Sequence, residues 1–139
     1  LSQAPSLAMA ANSIEDGVLS FSLDLYKQLV SQNGHSGNIF YSPFSISAVL
    51  SMTLAGTRSN TAEELSAVLH INSTEEHKQF KQFSKFLSKL RASSNDFKLH
   101  IANRIYVEET IPILDSYLSL LRSTYESTVA SVDFRNDYE

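Results

Sequence analysis

A mixed α+β fold is predicted by three features of this 139-residue chain. Four stretches place apolar residues at the three- and four-residue steps of a helix with one buried face. Two further stretches alternate in the manner of strands, and a helix of roughly fifteen residues lies between them, which is a crossover and not a hairpin. One helix, Ser45 to Ala55, is apolar nearly all round, the pattern of a helix enclosed by other elements.

Taken in order, Ser13 to Gln32 is the first predicted helix. Ser13 is placed to cap it, and Glu15 and Asp16 fall in the first turn, where the helix dipole favours them. Val18, Phe21, Ser22, Leu25 and Leu29 form its inner stripe, and Asn33-Gly34 stops it. Asn38 to Phe44 carries the run Ile39-Phe40-Tyr41 and is predicted as a short strand, ended by Ser42-Pro43 because proline lacks an amide hydrogen. The apolar helix from Ser45 follows. After the turn Gly56 to Asn60, either Asn60 or Thr61 is placed to cap a third helix, with Glu63 and Glu64 in its first turn and Leu65, Val68 and Leu69 inward. A fourth helix is predicted from about Thr74 to Arg91, with Phe80, Phe83, Phe86, Leu87 and Leu90 on one side. Phe97 to Val107 alternates as a long strand. Ile111 to Tyr125 reads as a helix burying Ile113, Leu114, Tyr117, Leu118, Leu120 and Leu121, and Thr128 to Phe134 alternates again. The two strands are expected to run parallel in one sheet.

Composition narrows the function. At 42% hydrophobic and 19% charged, the chain is ordinary for a globular protein. A net charge of −4 gives no general attraction to nucleic acid or to an anionic membrane, and no apolar run approaches the ~20 residues of a membrane span. The absence of cysteine leaves the redox compartment open. Residues 1–12 are expected to be a flexible N-terminus. They lack the charged and apolar regions of an intact signal peptide, as either a mature secreted chain or a truncated one would.

Asn38-Ile39-Phe40-Tyr41-Ser42-Pro43-Phe44-Ser45-Ile46, then the apolar helix, then Gly56-Thr57-Arg58-Ser59-Asn60-Thr61, closely resembles a signature of the serpins. Leu99 to Val107 is similar to the second strand of that family's central sheet, and Tyr125 to Phe134 to the end of its fifth helix and the following edge strand. The resemblance covers Ser13 to Phe134 with all three motifs in register. It implies the serpin fold, represented by the N-terminal helices and the first strands of the central sheet, so that 1–139 is the N-terminal portion of one domain. It also implies inhibition of serine (alternatively cysteine) proteases. A cleaved reactive loop inserts into the sheet and traps the protease as an acyl-enzyme. The alternative is a non-inhibitory serpin acting as carrier, chaperone or storage protein.

Asn38, Ser42, Pro43 and Ser45 match the hydrogen-bonding cluster beneath the point where the family's sheet parts, its shutter. The resemblance further implies a secreted, extracellular protein, and its style is similar to arthropod members, tick salivary ones among them. The chain stops at Asn136 to Glu139, where the sixth helix should begin, so the third strand and the reactive loop are not within it. A partial chain is therefore expected, whose partners are the remainder of the serpin and, through the missing loop, a target protease. An exposed sheet edge and an uncovered Ser45–Ala55 helix should follow.

No catalytic role is predicted. Ser42 and Ser45 lack a glycine-flanked elbow, and His35, His70, His77 and His100 have neither the context of a base nor the spacing of metal ligands, so no metal or cofactor is expected. Lys78, Lys81, Lys85 and Lys89 step along one helix face opposite the phenylalanines, with Arg91 just beyond. Glycosaminoglycan binding is the functional reading of that stripe, and a merely solvated face is the plain one. Asn72-Ser73-Thr74 is a glycosylation sequon.

Overall fold

The computed structural model describes residues 13–72, 76–91 and 101–136, leaving out the side chains of 76, 77, 79 and 91. Seven elements follow one another: α1 (Ile14–Gln32), α2 (Pro43–Gly56), α3 (Ser59–Val68), α4 (Glu76–Arg91), β1 (Arg104–Glu108), α5 (Asp115–Tyr125) and β2 (Thr128–Val132). They divide between two compact units, Leu1–Gln82 and Phe83–Glu139. The flexible segment expected at 1–12 lies outside the described residues.

In the first unit α1 packs on α2 and α2 on α3. Ser13 caps α1 as expected: its hydroxyl accepts from the Asp16 amide at 3.1 Å and donates to the Asp16 carboxylate at 2.8 Å. The far end of α1 closes with a Schellman turn, in which the His35 amide reaches Val30 O and Gly34 adopts φ +60. Ile14, Phe21, Ala48, Met52, Leu54, Ala55, Leu69, Ile71 and Phe80 are its buried apolar side chains. Each large one removed from water stabilises by about 1.5–3 kcal/mol.

The expected strand at Asn38–Phe44 is not formed. Residues 38–42 join no ladder, although Ser42 has extended backbone angles. A strand needs a partner to satisfy its amides, and no neighbouring strand pairs with this run among the described residues. The second helix starts at Pro43, not Ser45, since proline at the first helical position forfeits only an amide that would be orphaned anyway. Its enclosure is one-sided. Ser47, Ala48, Ser51, Met52, Leu54 and Ala55 are buried, whereas Ile46 and Val49 are exposed.

The third helix begins at Ser59, with Arg58 at the cap position and no side-chain cap bond. Asn60 instead donates to the Glu64 carboxylate at 2.8 Å, and no acid occupies the first turn. The fourth starts at Glu76; Thr74 lies outside the described residues.

In the second unit the expected parallel pairing holds: β1 and β2 run parallel, Arg104 opposite Thr128 through Glu108 opposite Val132. Both strands are shorter than predicted. Residues 101–103 are not in the ladder and 97–100 lie outside the described residues, while β2 ends at Val132 before a turn. That turn is held by the Asp133 carboxylate, which accepts from the Asn136 side chain and the Arg135 amide; these bonds keep its carboxyl below the ordinary aspartate range.

The crossover helix α5 starts at Asp115, four residues late. Pro112 biases Ile111 away from helical angles, and Leu114, expected inside, is 74% exposed. Phe83, Leu87, Leu121 and Tyr125 are buried in this unit, with the Phe83 and Tyr125 rings 5.5 Å apart and tilted. Tyr117 is half-buried, and that burial pushes its hydroxyl above the usual tyrosine range.

Candidate functional site

At the head of α2 a short polar cluster forms from Ser42, Pro43 and Ser45. The Ser42 hydroxyl accepts the Ser45 amide at 3.3 Å and lies 2.9 Å from the Ser45 hydroxyl. One turn on, Ser47 donates to Phe44 O at 3.0 Å, so the first turn is tied by three serines. Pro43 sets the bend between extended chain and helix. This cap satisfies amides that a helix start otherwise leaves orphaned.

Asn38, expected in the same cluster, takes no part in the Ser42–Ser45 hydrogen bonds. It instead lines an open groove of about 410 Å³ together with Leu29, Asn33, Phe40 and Tyr41. Tyr41 anchors the extended segment by donating to Ser22 O on α1 at 3.2 Å, a contact the sequence reading missed because nothing near Tyr41 signals a partner 19 residues away.

A second unforeseen link joins α1 to the end of α3. Ile71 N reaches Ser66 O at 2.8 Å and His70 N reaches Ala67 O at 3.2 Å, a complete Schellman turn with His70 at φ +56. Glycine is usual there, so a histidine gave no sequence signal of a helix end. Its Nε2 lies 2.9 Å from the Asp24 carboxylate, which Lys27 also approaches at 3.7 Å.

The remaining candidates belong to other elements. Lys78, Lys81, Lys85 and Lys89 are all exposed along α4, and eleven residues of helix span about 16 Å. Arg91 closes α4, but its side chain lies outside the described residues. Asn72 is half-buried just after the α3 turn, while Ser73 and Thr74 of its sequon lie outside the described residues.

As chemistry, the α2 head can cap and hinge. Its hydroxyls bond to each other, and no His, Asp or Glu activates them among the bonds described. No group of three or more His, Asp or Glu able to hold a metal occurs among the described residues. No described helix is long and apolar enough to cross a membrane.

The family model described as serpin, serine protease inhibitor, matches residues 16–139. Ipis-1 of the tick Ixodes persulcatus is 49% identical over 123 residues, which are 88% of this chain and 32% of that protein. The human leukocyte elastase inhibitor is 43% identical over 120 residues, 86% of this chain and 31% of its own. Among solved structures, human thyroxine-binding globulin superposes with a TM-score of 0.80 at 27% identity, over 89% of this chain and 34% of that one. The chain thus spans about a third of the length of the relatives it matches.

Proposed function

The chain belongs to the serpin family, and from that premise we propose that it forms the N-terminal portion of one inhibitory serpin domain acting on serine proteases. The family is one of inhibitors, not enzymes, and its named relatives include an elastase inhibitor. The observation that carries the inhibitory reading is the α2 head. There an extended segment turns at Ser42-Pro43 into a helix whose outward face, Ile46 and Val49, is apolar and exposed. Such a face suits a sheet lying over it, and the hydroxyls of Ser42 and Ser45 can exchange partners if strands above slide.

Inhibition then proceeds through polypeptide beyond this chain. The protease serine attacks a carbonyl of the reactive loop, the C–N bond breaks, the new amine leaves, and the ester persists because loop insertion deforms the protease before water can attack. This segment supplies scaffold and hinge.

The test is a chimera carrying residues 16–139 on the remainder of the human leukocyte elastase inhibitor, incubated with elastase beside that intact relative. A denaturant-resistant one-to-one complex is expected. Cleavage without a complex, where the intact relative forms one, would refute the reading. A carrier role is the second reading, favoured by the superposition on a globulin named for binding thyroxine. Small residues in the loop hinge of the longer protein permit insertion, and bulky or proline residues there point to the carrier.

Three further assignments rest on the same premise. The exposed lysines of α4, with Arg91, form a polyanion-binding face for a glycosaminoglycan. Retention on heparin should fall when Lys81→Ala and Lys85→Ala are combined, and unchanged retention ends that assignment. Asn72 carries a glycan in a secreted, extracellular protein of saliva. Loss of a glycan-sized mass on Asn72→Gln in the secreted product is the check.

A further inference from the structure

Asn33 and Gly34 form the one Asn-Gly pair in the sequence, and both are exposed at the end of α1. The carbonyl carbon of an asparagine side chain is a weak electrophile, and the main-chain nitrogen that follows it is the nearest nucleophile. Glycine leaves that nitrogen unshielded because it has no Cβ, and its backbone turns freely. The pair is set to react with itself unless its conformation holds the two groups apart.

Here it does. Asn33 has φ −87 and ψ 13, so Gly34 N nearly eclipses the Asn33 amide nitrogen. Attack on Cγ needs Gly34 N on the Cβ side instead, a large rotation about the Cα–C bond. Hydrogen bonds oppose that rotation: His35 N to Val30 O at 3.0 Å, Ser36 N to Asn33 O at 3.2 Å, Gly34 N to Ser31 O at 3.4 Å, and Asn33 Nδ2 to Ser36 O. The lock has a weak point. His35 sits at φ +58, directly after Gly34 at φ +60, and the left-handed region is costly for a residue with a Cβ.

We infer that Asn33 is a modification site, deamidated by Gly34 N when the end of α1 opens, with the Schellman turn as its gate. Gly34 N bonds to Asn33 Cγ, the Cγ–Nδ2 bond breaks, and Nδ2 leaves as ammonia with the Gly34 amide proton. Water then opens the resulting succinimide at either carbonyl. One product is aspartate. The other is isoaspartate, whose main chain runs through Cβ and gains a carbon.

Neither product restores the full set of bonds. The Asn33 amide donates to Ser36 O, and a carboxylate has no hydrogen to give there. It also adds negative charge at the C-terminus of a helix with no basic residue in its last turn, where the dipole opposes it. In isoaspartate the extra carbon shifts His35 N and Ser36 N against their acceptors. Asn33 also lines the groove beside Asn38, Phe40 and Tyr41, so the same event brings a negative charge to that groove. A transient opening is thereby converted into a lasting change.

The test follows the 139-residue chain at neutral pH, folded and in urea, by mass mapping of the tryptic peptide Gln28–Arg58. A gain of about 1 Da at Asn33, divided between two chromatographic products, is expected in both states and at least about tenfold more slowly in the folded one. His35→Gly, which relieves the left-handed position, should slow the folded rate several-fold. His35→Val, which crowds that position with a β-branched side chain, should raise it several-fold, and neither should move the rate in urea. Equal rates in the two states of a chain with a helical circular dichroism signal, no response to either His35 variant, or a gain at Asn38 in place of Asn33 would each overturn the inference. If the short chain gives no helical signal, the chimera described above carries the same peptide and is judged by the same outcomes.

Discussion

Ser42→Ala removes an acceptor from the start of α2, and its cost can be worked from the geometry. The Ser42 hydroxyl accepts the Ser45 amide at 3.3 Å and shares a 2.9 Å contact with the Ser45 hydroxyl. Replacing a serine cap by alanine costs about 1 kcal/mol, while glycine costs only a few tenths because the cap position is extended. Ser45→Ala keeps the amide and its bond to Ser42, losing only an exposed hydroxyl contact. That loss should stay below about 0.5 kcal/mol.

The double variant should therefore resemble Ser42→Ala alone, since both hydroxyls serve one contact. For a chain of this size a loss of about 1 kcal/mol lowers the melting temperature by roughly 3–5 °C. Urea denaturation followed by far-ultraviolet circular dichroism resolves such a difference. If Ser45→Ala is as costly as Ser42→Ala, or the two costs add, Ser42 is not the cap and the hinge built on it fails.

Three other outcomes follow from single contacts. His70→Ala should destabilise by about 1–2 kcal/mol through loss of the Asp24 contact with φ still positive, whereas His70→Gly should be closer to neutral because glycine relieves the left-handed backbone; equal losses in urea denaturation would contradict this. Ser66→Ala should stabilise by about 1 kcal/mol, as the Ser66 hydroxyl is buried without a partner, and a loss of stability would show that a bond is being made there. Burial raises the Tyr117 pKa above its unfolded value, so the unfolded chain ionises first and stability should fall as pH climbs from about 10 toward the folded pKa. Tyr117→Phe should flatten that alkaline limb in thermal melts taken across the range, and an unchanged limb would assign it to other tyrosines.

Features set by local chemistry were legible in the sequence. Ser13 with Glu15 and Asp16, Asn33-Gly34, and Ser42-Pro43 each act through groups within four residues, and each marks a real boundary. The parallel pairing was legible too, because a helix between two alternating runs leaves few topologies. What escaped depends on distant partners or on rules with exceptions. The Ile39-Phe40-Tyr41 run has the composition of a strand, but strand formation needs a second backbone. Apolar spacing continued across Ile111, Ile113 and Leu114, yet Pro112 and the late arrival of Asp115 delay the helix. His70 hid a Schellman turn by occupying a glycine position. Of the candidate shutter, the Ser42–Ser45 bonds follow from helix-start geometry, while the shared role given to them and Asn38 by resemblance is a proposal.

The apolar residues left in solvent lead to a thermodynamic consequence of the proposed longer chain. In the first unit Leu19, Leu23, Ile46 and Val49 are exposed, and in the second Ile111, Leu114 and Phe134. If the remaining polypeptide covers them, each contributes on the order of 1–2 kcal/mol. Seven such burials together, about 7–14 kcal/mol, are comparable to the ~5–15 kcal/mol by which a whole domain is usually stable. This portion and its complement would then fold as one cooperative event. In the chimera, substitutions at these seven positions should move a single unfolding transition, and the same substitutions in the 139-residue chain should change its stability little. Two separate transitions in the chimera, with only the second responding, would show that this portion folds independently of what covers it.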